Sequence, residues 1–448
     1  MSKIKTKKEV VKKISQIPIV NNKAAGIDVS DTEMMVAYPI NSEELEIRSF
    51  GCFTRDLHSI AKCLKENGIT SVAMESTGVY WVSLFLLLEE YGFDVCLVNA
   101  KHVKNVTGRK DDEGDAEWIM KLHRCGLLRA SFQPDKMTRT LRSIVRHRKN
   151  LVNTSSSYLN RMQKALELMN IKLHTVISDI DGKTGLLIIK AILSGERNPE
   201  VLADMRDRRI KASREDIIKS LEGYWTTEHL FELHQCYEMY CLHRKMIEEC
   251  DVEIEKQLRE QIQLKNNGVM PEFPKAKRKT SNKHKVNFDL TSYLKEILGV
   301  DVTEVFGISE LTVLTVMSET GTDMKKWKTA NHFASWLNVA PNTKKTAGKI
   351  ISCRIQKKKH YAGQAFRVAA NSLYSNKSIM GDYYRRIKSK AGPGKAVIAT
   401  ARKLAIIYYN MVDKKESFNP KAMEIYQKKY NEKKINQLKK KIALLEAA

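Results

Sequence analysis

Three kinds of pattern are missing from this sequence, and each absence narrows the class of protein. The eight cysteines include no CxxC pair, and we interpret them as reduced thiols of the kind found in cytosolic proteins. The first residues, MSKIKTKKEVVKK, contain no apolar signal core, and the longest apolar run, near VSLFLLLEEYG, is too short to span a bilayer. No strand pattern is followed by GxGxxG or GxxxxGKS, which argues against a doubly wound nucleotide-binding fold. We therefore expect a soluble intracellular protein with no membrane partner.

Positive charge, in contrast, is abundant. The 448 residues, enough for two or three domains, include 77 Lys and Arg against 52 Asp and Glu, a formal charge of +25. Such an excess favours a polyanionic partner, because binding to phosphate backbones releases counterions. The core strands predicted for the first domain are nearly uncharged, whereas Lys and Arg crowd the later segments.

The apolar pattern from Lys23 to about Pro134 predicts an α/β domain. Three strands come first and are followed by helix, strand, helix, strand and helix, an order typical of ribonuclease-H-like nucleases. The predicted strands are 24–29, 33–39, 45–53, 70–75 and 93–98, and the predicted helices are 54–67, 79–91 and 112–124.

Four acidic residues lie where such a fold would place a metal site. Asp28 ends the first strand and Glu75 ends the fourth, while Asp112 and Asp115 are three residues apart and would share one face of the last helix. Converging carboxylates repel one another unless divalent cations neutralise them, and Mg²⁺ takes oxygen ligands. A pair of such ions can hold the attacking and leaving oxygens of a phosphodiester displacement.

Other interpretations of these acids are open. Asp28 and Asp112 also occupy positions where turn or helix-cap residues occur. Asp111 is adjacent to Asp112 and could replace it in the assignment, whereas Glu117 points elsewhere on the helix.

The middle of the chain has heptad spacing over about 137–170 and 230–259, interrupted in the first stretch by Arg148 and Ser155. The pattern predicts two long helices, separated by a shorter helical segment, that form an antiparallel coiled-coil arm for dimerisation or spacing. An ordinary helical bundle is the alternative. Zinc is not expected at His234, Cys236, Cys241 and His243, since four ligands on one continuous helix cannot converge.

The last third of the chain is basic and mostly helical. Two short helices joined through Gly321 resemble a helix–hairpin–helix, and helices are predicted at 361–375, 379–390 and 394–411. Between Asn342 and His360 we predict a basic loop that contacts phosphates, with a solvated loop as the alternative. Its candidate nucleic-acid-binding residues are Lys344, Lys345, Lys349, Arg354, Lys357, Lys358 and Lys359.

Several motifs, in order, resemble one known family. GIDVS, MESTGVYW and GRKDDEGDAEWI resemble the RuvC-like domain of the DEDD insertion-sequence transposases, the IS110 family. Residues 307–411, including the run SETGTDMKKWKTANHFASWLNVAPN, resemble the transposase domain of that family. The resemblance implies a DNA recombinase that excises and integrates its own element. It also implies a structured bridge RNA, encoded by the element, that pairs with target and donor DNA.

The resemblance also implies roles for individual residues. Asp28, Glu75, Asp112 and Asp115 would form the Mg²⁺-binding half of a composite site. The other half would be a serine in a Ser-Gly-Gly-Lys-like run after a proline, which attacks a DNA phosphate and holds it covalently.

Here the sequence departs from the family pattern. Thr346 stands in place of the serine and Ala347 in place of the first glycine. Threonine keeps a hydroxyl but adds a methyl group, and alanine cannot adopt every glycine conformation. Ser352 is matched by a serine of the family and is no obvious substitute. A working threonine nucleophile, a weakened enzyme and an inactive copy that still binds nucleic acid all remain open.

A junction-resolving nuclease that hydrolyses with water is a further alternative, but it would leave residues 300–411 unexplained.

The resemblance also sets the expected domains and partners. The expected partners are DNA (the element ends and target), a structured noncoding RNA and further copies of the chain in a dimer or tetramer, in a bacterial or archaeal cytoplasm near the nucleoid. The expected divisions are a basic tail (1–22), a RuvC-like DEDD domain (23–135), a helical coiled-coil region (136–260), a basic linker (261–299), a transposase domain (300–412) and a Lys-rich helical tail (413–448).

Overall fold

Five strands near the start of the chain pair into one mixed sheet in the order β3-β2-β1-β4-β5. Strand β2 is antiparallel to both of its neighbours, whereas β1, β4 and β5 are parallel to one another. The strands are β1 (Ala24–Val29), β2 (Met34–Pro39), β3 (Leu45–Phe50), β4 (Ser71–Glu75) and β5 (Asp94–Val98). The predicted strands are thus confirmed, with β3 three residues shorter than expected.

This protein is described by a computed structural model. The described residues are 18–41, 44–99, 103, 114–273, 285–357, 360–421 and 435–439, with isolated positions elsewhere after 421. They belong to two compact units, Met1–Gln133 and Pro134–Ala448. No helix among the described residues is both long and apolar enough to cross a lipid bilayer.

Helices cover both faces of the sheet in the first unit. Helices α1 (Thr54–Glu66) and α2 (Trp81–Glu90) pack on one face, where alternate β1 residues such as Ile27 are fully buried. Helix α3 (Asp115–Arg124) packs on the other face, against Ala73 and Val98. The strand order and the three layers are those of a ribonuclease-H-like, RuvC-like fold, as the sequence predicted.

Two long helices, α4 (Lys136–Leu168) and α9 (Thr227–Lys265), pair in the second unit. Their direction is antiparallel, since the ring of Tyr158 lies 5.3 Å from that of His243, and Arg148 pairs with Asp251. The prediction of an antiparallel pair is therefore confirmed.

The shorter helical segment predicted between the long helices consists of four helices. They share an apolar core with the adjoining ends of α4 and α9, so this end of the pair is a helical bundle. A short helix carries too few turns to show a reliable apolar period, so the sequence does not separate the four helices from one another. The four are α5 (Leu173–Val176), α6 (Lys183–Leu193), α7 (Pro199–Asp204) and α8 (Arg214–Leu221).

An ion pair is buried in the middle of the long pair. Arg148 and Asp251 are both almost completely buried, and the guanidinium donates to both carboxylate oxygens. Burial raises the pKa of Asp251 in spite of the neighbouring guanidinium. Arg148, which breaks the heptad pattern in the sequence, therefore has its partner on the opposite helix.

The rest of the described chain forms a helical C-terminal region around α15 (Pro393–Lys414), where Tyr408 is fully buried between Phe333 and Phe366. Part of the predicted linker 261–299 is helical, because α9 continues to Lys265 and the next helix begins at Leu290. The helices are α10 (Leu290–Leu298), α11 (Glu310–Thr320), α12 (Ala330–Trp336), α13 (Tyr361–Ser372), α14 (Ile379–Ala391) and α15 (Pro393–Lys414), with 3₁₀ turns at Val302–Glu304 and Met324–Lys326.

Candidate active site and nucleic-acid interface

Two of the predicted acids lie side by side at the carboxyl ends of parallel strands. Strand β1 pairs with β4 so that Ile27 is opposite Met74, which makes Asp28 and Glu75 the next residues in register. Side chains alternate along a strand, so both carboxylates lie on the face opposite to the buried Ile27 and Met74. That face is the one covered by α3.

Helix α3 lies directly on strand β1 because Gly26 has no side chain. A Cβ atom at Gly26 would lie 2.3 Å from the backbone nitrogen of Met120 and 2.4 Å from the carbonyl oxygen of Ala116. Asp28 is two residues beyond Gly26 on the same face, and Asp115 is the first residue of the helix. The sequence signal for this contact is a glycine inside a strand, which often marks close approach of another backbone.

The three described carboxylates differ in burial and in charge environment. Asp28 and Glu75 are half-buried and Asp115 is exposed. Partial burial raises the pKa of Asp28, the charge of Asp115 raises it further, and a hydrogen bond from the backbone N–H of Val29 lowers it. Glu75 accepts a hydrogen bond of 3.2 Å from the Thr77 hydroxyl. Asp115 is therefore near enough to Asp28 for their charges to repel.

The predicted start of α3 is wrong by three residues. Gly114 has an extended backbone and caps the helix, which begins at Asp115. Asp112 and Asp111 lie outside the described residues, and the place of Asp112 beside Asp115 stays a prediction. Glu117 forms an ion pair of 2.9 Å with Lys121 on its own helix.

The chemistry of the donor set fits a hard cation. All of the candidate ligands are carboxylate oxygens, and a cation would relieve the repulsion between Asp28 and Asp115. Within the part of the chain that the structure describes, no three His, Cys, Asp or Glu side chains form a group arranged to hold a metal ion.

The predicted basic loop contains a two-stranded hairpin, so its prediction as a loop is wrong in part. Strands β6 (Lys344–Thr346) and β7 (Lys349–Ser352) are antiparallel and joined by Ala347 and Gly348. Both turn residues have positive φ, 46° and 78°, as in a type I′ turn. Positive φ is strained for alanine, since only glycine enters this region freely.

Thr346 is the last residue before this turn and lies opposite Lys349 in the register. Its side chain is exposed, as are those of Lys344 and Lys345 on the same strand. Arg354 and Lys357 are also exposed, whereas Lys358 and Lys359 lie outside the described residues. The hairpin therefore presents a hydroxyl group among solvent-exposed cations.

Comparison with known proteins found two family matches. Residues 25–171 match a DEDD transposase model of the IS110 type, described as "Transposase". Residues 301–385 match the model "Transposase IS116/IS110/IS902 family". No curated protein matches the chain significantly.

Among solved structures, the chain is similar to T. thermophilus RuvC in complex with a Holliday junction substrate. The identity is 14%, and the alignment covers 24% of this chain and 98% of that chain with a TM-score of 0.19.

The two family matches fall on the two segments whose motifs carried the resemblance, and together they span just over half of the sequence. The first includes the sheet with Asp28 and Glu75 and helix α3 with Asp115, and the second includes the hairpin with Thr346. The chain belongs to the IS110 family of DEDD transposases and is a DNA-cutting and rejoining enzyme.

Proposed function

We propose that this transposase binds Mg²⁺ through Asp28, Glu75 and Asp115, with Asp112 as the fourth carboxylate, and recombines DNA under the guidance of a structured RNA. The observation that carries the proposal is the juxtaposition of Asp28 and Glu75 on one face of the sheet, with the charge of Asp115 raising the pKa of Asp28. Enzymes of the DEDD class generally use divalent metal ions.

The carboxylates have a binding and orienting role in this proposal. The strand ends fix Asp28 and Glu75 in adjacent positions, and Gly26 lets α3 bring its first residue to the same face. Metal ions held by these oxygens would stabilise the charge that develops on the phosphate during strand exchange.

The Thr346 hydroxyl is proposed as the nucleophile. Its oxygen forms a bond to the phosphorus of a DNA phosphodiester, and the bond from that phosphorus to one sugar oxygen breaks. The hydroxyl proton passes to solvent, and the departing sugar oxygen takes up a proton. Attack by a DNA hydroxyl on the protein-bound phosphate then releases Thr346 and rejoins a strand. The exposure of Thr346 at a hairpin turn supports this role, because a DNA backbone has access to it.

Guidance by RNA and assembly into a dimer or tetramer are further parts of the proposal. The net charge of +25 supports binding of more than one polyanion. We also propose the domain roles predicted above, with nuclease chemistry in 23–135 and DNA contact in 300–412.

The test uses the full-length protein purified with the nucleic acid that it carries. It is incubated with DNA that contains the ends of its element, in Mg²⁺ or in EDTA, and denatured samples are examined for cut strands and for DNA linked to protein. Three variants are compared with the wild type: Asp28→Asn, Thr346→Val and Thr346→Ser. Thr343→Val is the matched control, since it removes another exposed hydroxyl three residues away.

The wild type, Thr346→Ser and Thr343→Val should form the covalent adduct in Mg²⁺, and Asp28→Asn should form neither adduct nor cut strands. An adduct in Thr346→Val would contradict the nucleophile. Nucleic-acid binding without cleavage by the wild type would contradict the catalytic proposal and identify an inactive copy. Sequencing of the co-purified RNA should give one discrete species whose loops are complementary to the flanks of the element, and a heterogeneous mixture would contradict guidance.

A further inference from the structure

The first half of helix α4 carries a row of cations on one face. The row consists of Arg139, Arg142, Arg146 and Lys149, at spacings of three, four and three residues, which places them on one side of an α-helix. The sequence contains no acidic residue from position 136 to position 164. We call these four residues the arginine row.

One member of the row is held by a buried carboxylate. Arg146 donates two hydrogen bonds of 2.7 Å to the carboxylate of Glu319, near the end of α11. Its guanidinium carbon lies 4.3 Å from the centre of the Tyr361 ring, and the Lys149 ammonium lies 5.6 Å from the same ring. Tyr361 is the first residue of α13, so the row on α4 contacts both α11 and α13 of the second unit.

Arg142 lies between two other cations in the row and is half-buried. Burial lowers its pKa, the charges of Arg146 and Arg139 act in the same direction, and Glu319 opposes them. Among the residues that the structure describes, Arg142 makes no hydrogen bond or salt bridge. Glu319 pairs with Arg146, and it forms no salt bridge with Arg142.

Arg148 on the same helix shows what a purely structural role looks like, since it is buried and paired with Asp251. Within the row, Arg146 is paired with Glu319. A half-buried guanidinium between like charges is costly unless an anion compensates it. Arg142 thus has the surroundings of an anion-binding group.

We propose that the arginine row binds the phosphate backbone of a nucleic-acid strand, with Arg142 donating to phosphate oxygens. This inference rests on the proposed function, which requires nucleic acid, and adds a binding site outside the hairpin. Guanidinium groups match phosphate oxygens with two parallel hydrogen bonds. The row rises about 15 Å along the helix, a length over which one strand presents several phosphates.

The experiment measures binding of the full-length protein to a labelled DNA duplex and to an RNA hairpin of the same sequence over a range of salt concentrations. The variants are Arg142→Gln, Lys149→Gln and Arg142→Lys. Lys164→Gln is the matched control, an exposed cation on the same helix outside the row. Thermal unfolding is followed in parallel, and the exposed Lys149 provides a test that does not depend on a half-buried side chain.

Each Gln variant in the row should lower the slope of log affinity against log salt by about one, and Arg142→Lys and Lys164→Gln should keep the slope of the wild type. A change of this slope with the DNA probe, the RNA probe or both identifies the nucleic acid that the row binds. Unchanged slopes for Lys149→Gln and Arg142→Gln in both arms would overturn the inference. If the wild type binds neither probe, the proposed function itself fails.

Discussion

The two candidate chemical groups of this enzyme are supported in very different ways. Asp28 follows the fully buried Ile27 on a central strand that has a neighbour on each side and helices on both faces. Thr346 lies on a hairpin of two short strands whose side chains are almost all exposed. A two-stranded hairpin has little stability of its own, whereas a site on packed elements is preorganised. The candidate acids are thus positioned by folding, whereas the hairpin has few packed side chains to hold it in place.

The largest effect is expected from Glu75→Gln, which keeps the shape of the side chain and removes its charge. Strand cleavage in Mg²⁺ should fall by about 10²–10³-fold, the scale seen when one group that stabilises transition-state charge is lost. Glu117→Gln is the matched control, since this acid pairs with Lys121 on the surface of α3. Equal activities of the two variants in a cleavage time course would remove Glu75 from the site.

Gly26→Ala tests whether the acidic site depends on packing. The new methyl group would overlap the backbone of α3 near Met120 and Ala116. Overpacking of this kind should lower the free energy of unfolding by about 1–3 kcal/mol or more, measured by urea denaturation, and should reduce cleavage as well. Gly114→Ala is the control, because a Cβ there meets nothing within 4 Å. If Gly26→Ala is as stable as the control, the close contact between helix and strand is incorrect.

The effect of pH on local stability, acting through His123, should differ between helix α3 and the hairpin. His123 is buried near the end of α3, 2.7 Å from the Ser71 hydroxyl, and burial lowers its pKa below 6.5. Because the pKa of His123 is lower in the folded protein than in the unfolded protein, the folded protein binds fewer protons at this group. Stability that is present above pH 6.5 is therefore lost as the pH falls towards the folded pKa. The loss is at most about 1.4 kcal/mol per pH unit.

Hydrogen exchange, corrected for intrinsic rates, should therefore accelerate in α3 below pH 6.5 and remain unchanged in the hairpin. In His123→Gln this pH dependence should flatten. Equal acceleration in both regions would mean that His123 does not govern it.

The smallest effect is expected from Ala347→Gly. Ala347 has a φ of 46°, and glycine should relieve about 1 kcal/mol of strain in the turn. Because the gain is local, amide protection should rise in residues 344–352 while the global unfolding temperature barely changes. If the global free energy of unfolding rises by as much as the local free energy of opening in the hairpin, the hairpin is part of the folded core.

These contrasts explain what the sequence could predict. Asp28 and Glu75 can be found from the sequence because each lies at or next to the end of an apolar strand, and a strand's apolar run is a local property of the chain. The start of α3 was predicted too early because the spacing of Asp112 and Asp115 fits a helix, although Gly114 is extended.

The hairpin was missed for another local reason. The sequence signal for a type I′ turn is Asn-Gly or Asp-Gly, and this turn uses Ala347 and Gly348. The contact of Gly26 with α3 and the position of Arg142 depend on segments far apart in sequence, which no local period reveals.

The charged pair inside the long helices has a consequence for how they can associate. A slip of α9 by one heptad in one direction would set Arg148 opposite Arg244, and a slip in the other direction would set it opposite Leu258. Either alternative leaves charge buried without compensation, at a cost of several kcal/mol. Arg148 and Asp251 thus favour one register of the two helices over the registers shifted by one heptad.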